Sequence, residues 1–305
     1  MSRFAARLSG VFAPVVTPFR DDEIALDALR SNLRALAATP LAGWFALGSN
    51  AEARSLTFAE HLAVMEVFAA EGSGRVVMVG AGCESTHETI ARTREIGRMG
   101  FGFASAITPA YFASRMGDEA LEGHYRRVAD ASPVPVLIYN APGFAGGVSI
   151  SPAVVRRLAA HGNIAGIKDS APAGPGRYLA ALDAEADFCV LAGSVAFFYP
   201  SLVLGAVGGV LSLANSLPAE CARLYELARL GRHEEARALH ARLVRLNGAS
   251  SDRHGVAGVK ALMDLLGFAG GEPRLPLVPL TPEQKEELAK ALAREGFAPD
   301  GKRAP

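Results

Sequence analysis

Short apolar runs alternate with longer amphipathic runs along most of the chain. The apolar runs are Val11–Val16, Gly43–Leu47, Val76–Val79, Gly102–Ile107, Val134–Tyr139, Ile164–Lys168, Phe188–Leu191 and Val207–Leu211. They lack the clean apolar–polar alternation of a strand with one wet face, which predicts parallel strands covered on both sides. Between them apolar residues recur at helical spacing, as at Leu26, Leu29, Leu33 and Leu36. Thr57 followed by Glu60 has the form of a capping box and predicts a helix running to about Ala70. Further helices are predicted over Thr86–Met99 and Asp118–Ala131, and from Ser151-Pro152 onward. Strand–helix units repeated in this way over about 200 residues predict an α/β fold, a (β/α)8 TIM barrel rather than an open sheet.

After Leu217-Pro218 the pattern changes. Ala219–Leu230, His233–Leu246, Gly255–Leu266 and Pro282–Arg294 read as helices with no strand among them. The expected organisation is a barrel over 1–217 that carries the active site, a C-terminal helical appendix over 218–296, and a frayed tail over 297–305.

Composition narrows the function classes. Lys+Arg and Asp+Glu are both 31 in 305 residues, so nothing points to a nucleic acid or another polyanion as partner. Cys83, Cys189 and Cys221 are far apart and form no CxxC; they read as small buried hydrophobes in a reducing, cytoplasmic setting. The histidines show no metal-ligand spacing, so neither a metal nor an organic cofactor is expected. Pro14 and Pro18 interrupt the start, so no signal peptide is expected. Phe188–Asn215 carries no charge, but Pro200, Gly205, Gly208 and Gly209 break it. It reads as buried strand, helix and strand, not as a membrane span.

The sixth apolar run ends abruptly on Lys168-Asp169-Ser170. A lysine at the exit of a buried strand stands where the core meets the loops. Partial burial there penalises an ammonium and favours the neutral amine, the form that attacks a ketone to give a Schiff base. The competing reading is a strand-end charge that snorkels to water. The other strand exits decide between them, because a barrel of this type places its active site at the C-terminal strand ends. Strand two delivers Gly48-Ser49-Asn50-Ala51-Glu52, strand four Thr108-Pro109-Ala110-Tyr111, strand five Tyr139-Asn140-Ala141-Pro142-Gly143-Phe144, and strand seven Gly193-Ser194. A phenol beside a Schiff-base lysine can move protons, and small polar residues with backbone N–H groups at a turn can hold a carboxylate. Taken singly, Tyr139 could line the barrel, Ser49 and Asn50 could form an ordinary turn, and Tyr111 could be surface filler. Their joint placement at one end of one barrel argues for a site. Val79-Gly80-Ala81-Gly82-Cys83-Glu84-Ser85 imitates a dinucleotide loop, but Ser85 replaces the last glycine and no acidic residue ends the next strand.

In combination, the Gly48 turn, Thr108-Pro109, Tyr139-Asn140-x-Pro142, Gly166-x-Lys168-Asp169 and Gly193-Ser194 resemble the pyruvate-dependent class I aldolase superfamily typified by dihydrodipicolinate synthase and N-acetylneuraminate lyase. The resemblance runs from Thr17-Pro18-Phe19 to the helical end and is closest to 4-hydroxy-2-oxoglutarate aldolase. It implies that Lys168 forms the Schiff base, that Tyr139 relays protons, and that Ser49 links Tyr139 to Tyr111, with Tyr111 reaching in from a neighbouring subunit of a homotetramer. It also implies that the backbone amides of Ser49 and Asn50 hold the pyruvate carboxylate. Ser170, Gly193, Ser194 and Phe144 complete the expected substrate-binding set.

Departures from the pattern bear on the second substrate. Synthases that condense aspartate semialdehyde carry an arginine where this chain has Phe144. Ala51 replaces a common glycine and strains the turn if that glycine needs a positive φ. Ala110 opens space near Tyr111. The main expectation is therefore cleavage of 4-hydroxy-2-oxoglutarate to pyruvate and glyoxylate. The alternatives are 4-hydroxy-tetrahydrodipicolinate synthesis, a 2-oxo-3-deoxy sugar acid aldolase or dehydratase, a pyruvate-binding barrel without turnover, and an oxidoreductase built on the Gly80 loop.

Overall fold

The computed structural model describes residues 2–72, 74–183 and 185–297. The tail expected to fray lies, beyond Phe297, outside the described residues. The barrel strands are β1 (Gly10–Pro14), β2 (Gly43–Ala46), β3 (Val76–Gly80), β4 (Phe103–Ile107), β5 (Val136–Asn140), β6 (Ile164–Asp169), β7 (Cys189–Ala192) and β8 (Gly208–Val210). They follow one another in sequence order round a closed barrel, with β8 beside β1. Every residue of β5 and β6 is buried, which is why these segments read as unbroken apolar runs. β5 begins at Val136 and not at Val134, because Pro135 has no N–H to give to a ladder.

Helices α1 (Leu26–Ala37), α2 (Phe58–Glu71), α3 (Thr86–Arg98), α4 (Asp118–Ala131) and α5 (Pro152–Ala159) form where the spacing placed them; the one-turn α6 (Gly176–Leu179) was not expected, and α7 (Phe198–Val203) is the helix read within the uncharged stretch. The Thr57–Glu60 capping box opens α2, with both reciprocal bonds made. The uncharged stretch 188–215 resolves into β7, a 3-10 turn (Val195–Phe197), α7, β8 and a second 3-10 turn (Ser212–Asn215). Among the described residues no helix is long and apolar enough to cross a membrane. The C-terminal extension is helical, with α8 (Pro218–Arg229), α9 (His233–Asn247), α10 (Arg253–Leu265) and α11 (Pro282–Arg294). A π-helical turn at Gly248–Asp252 joins α9 to α10, where the sequence predicts a plain break.

Two compact units share the chain: Met1–Gly10 with Gly74–Val210, and Val11–Ser73 with Leu211–Pro305. In the first, Ile138 of β5 and Ile167 of β6 pack in one core with Val154, Val155 and Leu158 of α5. In the second, residues from 211 onward are tied to the N-terminal segments by polar bonds. Asn32 on α1 donates to the Ala269 carbonyl at 2.8 Å and accepts from the Ala269 amide at 2.9 Å. Asn215 donates to the carbonyl of Pro14, the last residue of β1. Lys260 on α10 reaches Glu52 at 2.5 Å, with both side chains essentially without solvent exposure.

Candidate active site

β5 and β6 run in register at their exits, Tyr139 opposite Lys168 and Asn140 opposite Asp169. Lys168 is buried, at 6 % exposure, and its Nζ lies 4.0 Å from the centre of the Tyr139 ring. Successive strand residues point to opposite faces. Tyr139 and Lys168 therefore share the face opposite to Ile138 and Ile167, and Asn140 and Asp169 share the helix-packed face with those two isoleucines.

The Asp169 carboxylate accepts at Oδ1 from Asn140 Nδ2 at 2.6 Å and from the Ala171 amide at 3.2 Å. Asn140 Oδ1 in turn accepts from the Ile150 amide at 3.0 Å. Among the described residues Asp169 Oδ2 has no hydrogen-bond partner, and Arg177 Nη2 stands 3.8 Å from Oδ1, beyond hydrogen-bonding range. Burial pushes the Asp169 carboxyl above the usual carboxylate range, and the bonds from Asn140 and Ala171 oppose that rise. Tyr178 donates to the Ile150 carbonyl at 2.8 Å, and burial, then the nearby Asp169, push its phenol up.

Ser170 and Gly193 meet at the neighbouring exit. The Ser170 hydroxyl lies 3.4 Å from the Gly193 carbonyl, and the Gly193 amide donates to the Asp169 carbonyl at 2.7 Å. A Cβ on residue 193 would lie 2.0 Å from Ser170 Oγ and 2.7 Å from the Asp169 carbonyl oxygen, so only glycine fits. Ser194 Oγ accepts from the Ala196 amide at 3.2 Å and so caps the following turn. At the β4 exit, Glu84 Oε2 accepts from the amides of Ala110 and Tyr111, both at 2.8 Å. The Tyr111 side chain is 80 % exposed, edge-on to Phe112. Phe144 lies in the 3-10 turn Pro142–Phe144 and is 66 % exposed.

The second unit carries the β2 exit. Ser49–Ala51 forms one 3-10 turn, and Asn50 Nδ2 donates to Ser212 Oγ at 2.9 Å. Ala51 does not bear the strain its replacement of glycine suggests. Ala51 has no positive φ, and the left-handed residue is Glu52, at φ 53°, ψ 36°. Three contacts hold that turn. Thr17 donates to the Ala51 carbonyl at 2.8 Å, the Arg274 amide donates to Glu52 Oε2 at 2.9 Å, and Lys260 closes the ion pair.

The Gly80 loop has a packing explanation. A Cβ on Gly82 would sit 2.6 Å from the Ile107 amide nitrogen, so the glycine admits the passing β4 backbone. Among the described residues no group of three or more His, Cys, Asp or Glu side chains gathers where a metal could bind. Sequence reasoning left Asn140, Asp169, Glu84 and Glu52 without a supporting role. For Asn140 and Asp169 the signal was available: each directly follows a candidate catalytic residue, so each faces the opposite side of the sheet.

Residues 7–295 match the model of the dihydrodipicolinate synthetase family. A 4-hydroxy-tetrahydrodipicolinate synthase of Methanospirillum hungatei is 34% identical over 290 residues, covering 93% of this chain and 98% of that one. The same synthase name recurs among other curated relatives. A probable mitochondrial 4-hydroxy-2-oxoglutarate aldolase of Emericella nidulans is 33% identical over 292 residues, covering 93% of this chain and 94% of that one. Among solved structures, YagE, an E. coli K12 prophage protein of the dihydrodipicolinic acid synthase family determined with pyruvate, superposes with a TM-score of 0.89. It is 25% identical, with 95% of this chain and 99% of that one covered. These names favour the synthase alternative over the aldolase that the sequence alone put first.

Proposed function

Since the chain belongs to the dihydrodipicolinate synthetase family of pyruvate-dependent Schiff-base lyases, we propose that Lys168 condenses with the C2 ketone of pyruvate and that Tyr139 moves protons at that carbon. The observation that carries the reading is the burial of the Lys168 amine against the Tyr139 ring at the ends of two adjacent strands. The amine adds to C2 and water leaves, giving an iminium. The iminium draws electrons from the methyl group, which loses a proton to form an enamine. The enamine carbon attacks the aldehyde carbon of the second substrate, and hydrolysis of the new iminium frees Lys168; cleavage runs the same steps backward. The amides of Ser49 and Asn50, at the β2 exit, are the proposed carboxylate holders. The reading extends to a cytoplasmic homotetramer in which a second copy covers Tyr111.

For the second substrate, the relatives' names put aspartate semialdehyde first, which makes the chain a 4-hydroxy-tetrahydrodipicolinate synthase. Phe144 favours a second reading, cleavage of 4-hydroxy-2-oxoglutarate, because it offers no charge-assisted bond where the synthases carry arginine. In that reading Asn50 and Ser170 are the side chains proposed to hold the glyoxylate carboxylate. One preparation assayed in both directions separates the two. The leading reading requires a higher kcat/KM for pyruvate with aspartate semialdehyde, and a higher value for 4-hydroxy-2-oxoglutarate selects the second.

A further inference from the structure

We propose that Asn140 and Asp169 act as a register clamp, a buried cross-strand hydrogen bond on the helix-packed side of β5 and β6 that holds Tyr139 and Lys168 opposite each other on the other side. The inference rests on the Schiff-base reading of Lys168. It makes Asn140 and Asp169 positioning residues, since they act through their strand neighbours.

The register between β5 and β6 is not held by an uninterrupted ladder. Val136 pairs with Ile164 but Leu137 pairs with Gly166, so the register shifts by one residue near the start of the pair. A one-residue slip carries every side chain to the other face, and such an irregularity locally disrupts the ladder. Past it, the pairing restarts on Gly166, which has no side chain to grip its neighbour. The strands then end on Asn140 and Asp169, both with 0 % exposure, joined at 2.6 Å. The bond is short and buried, which makes it strong and directional.

Both partners are anchored to the loops that follow them. The Ile150 amide occupies Asn140 Oδ1, which fixes the orientation of the amide and points Nδ2 at Asp169. The Ala171 amide holds Asp169 Oδ1, the Ser170 amide donates to the Asn140 carbonyl at 2.8 Å, and the Gly193 amide donates to the Asp169 carbonyl. The clamp thus couples the exit of β5 with Tyr139, the exit of β6 with Lys168 and Ser170, and the exit of β7 with Gly193.

The test exchanges the two groups and reads the rate at which borohydride traps pyruvate on Lys168, together with kcat and the pyruvate KM. Asn140→Asp sets two carboxylates against each other and is expected to slow trapping and lower kcat by about tenfold or more, since small misplacements of reacting groups are costly. The pyruvate KM is expected to stay within about threefold, because the proposed carboxylate holders lie on another strand. Asn140→Asp combined with Asp169→Asn recreates the bond with donor and acceptor exchanged, and the new carboxylate still accepts from the Ile150 amide. It is expected to return trapping to within about threefold of wild type. Asn140→Ser cannot span the gap and is expected to slow trapping as Asn140→Asp does. Wild-type trapping in folded Asn140→Ser or Asn140→Asp overturns the clamp. So does a double exchange that melts like wild type yet traps as slowly as Asn140→Asp. If the double exchange does not fold, Asn140→Ser decides. A wild-type chain without an adduct on Lys168 removes the Schiff-base reading and the clamp together, whereas a trapped wild type with unaffected variants removes the clamp alone.

Discussion

Tyr139 and Lys168 are cross-strand partners, with the lysine Nζ 4.0 Å from the centre of the tyrosine ring. Both residues are buried, so the amine and the phenol occupy a site where water is scarce and electrostatic interactions are strengthened. A single substitution separates the ring from the hydroxyl. Tyr139→Phe keeps the ring against the amine and removes only the proton-bearing group. It should lower kcat by about 10²–10⁴-fold, the range ascribed to general acid–base catalysis, while pyruvate still traps on Lys168. Steady-state kinetics beside mass spectrometry checks this, and an unchanged kcat rules out the phenol as proton relay.

Phe144 gives a gain-of-function prediction. Its side chain is 66 % exposed, so an arginine there displaces little packing. A new hydrogen bond to a charged group contributes about 1.5–3 kcal/mol, which is one to two decades in rate if it persists in the transition state. Phe144→Arg should raise kcat/KM for aspartate semialdehyde by about tenfold or more, leaving pyruvate trapping unchanged. No gain, in a folded variant, means that residue 144 does not face the second substrate.

The Lys260–Glu52 pair predicts a stability effect with a definite pattern. Burial pulls the Lys260 ammonium down from its ordinary value, and Glu52 opposes that fall. Lys260→Met would strand the Glu52 carboxylate in a site without solvent exposure, and breaking a buried pair costs about 3–5 kcal/mol. Changing both, as Lys260→Met with Glu52→Gln, should cost less than Lys260→Met alone. Denaturant melts of the three chains decide it; equal midpoints for Lys260→Met and wild type contradict the pairing.

Glu60 and Arg274 predict an acid-sensitive contribution. Arg274 Nη2 donates to Glu60 Oε1 at 2.8 Å and, with the Thr57 amide, holds the Glu60 carboxyl at about 2, down from 4.5. A carboxyl depressed in the folded state stabilises above its unfolded pKa and loses that contribution as pH falls through the folded one. The stability gap between wild type and Glu60→Gln should therefore be full above about pH 5 and shrink steadily toward pH 2. Thermal melts across that window test it. A gap independent of pH would mean that the charge at Glu60 contributes nothing.

How much of this was legible in the sequence differs from residue to residue. The strands were, because parallel strands buried on both faces leave apolar runs such as Ile164–Ile167 that no helix period explains. The capping box at Thr57 was, because its bonds are local. The bond between Asn140 and Asp169 was not, because residues 29 apart meet only through the β5–β6 register. Nor was the left-handed Glu52, since that conformation is held by Lys260 and Arg274, more than 200 residues away in the chain. The expected strain at Ala51 fell one position later for the same reason. Tyr111, counted among the catalytic candidates, is exposed to solvent.

Lys168 is the residue proposed to carry the covalent chemistry. Lys260 is the natural control, since it is also buried but is paired with Glu52. The wild-type chain is incubated with pyruvate, reduced with borohydride, digested and mapped by mass spectrometry, with Lys168→Arg in parallel. A reduced three-carbon adduct is expected on the peptide bearing Lys168. Neither adduct nor turnover is expected in Lys168→Arg, because a guanidinium that stays charged cannot form the imine. An adduct on Lys260, or full turnover in Lys168→Arg, would rule out Lys168 as the covalent lysine.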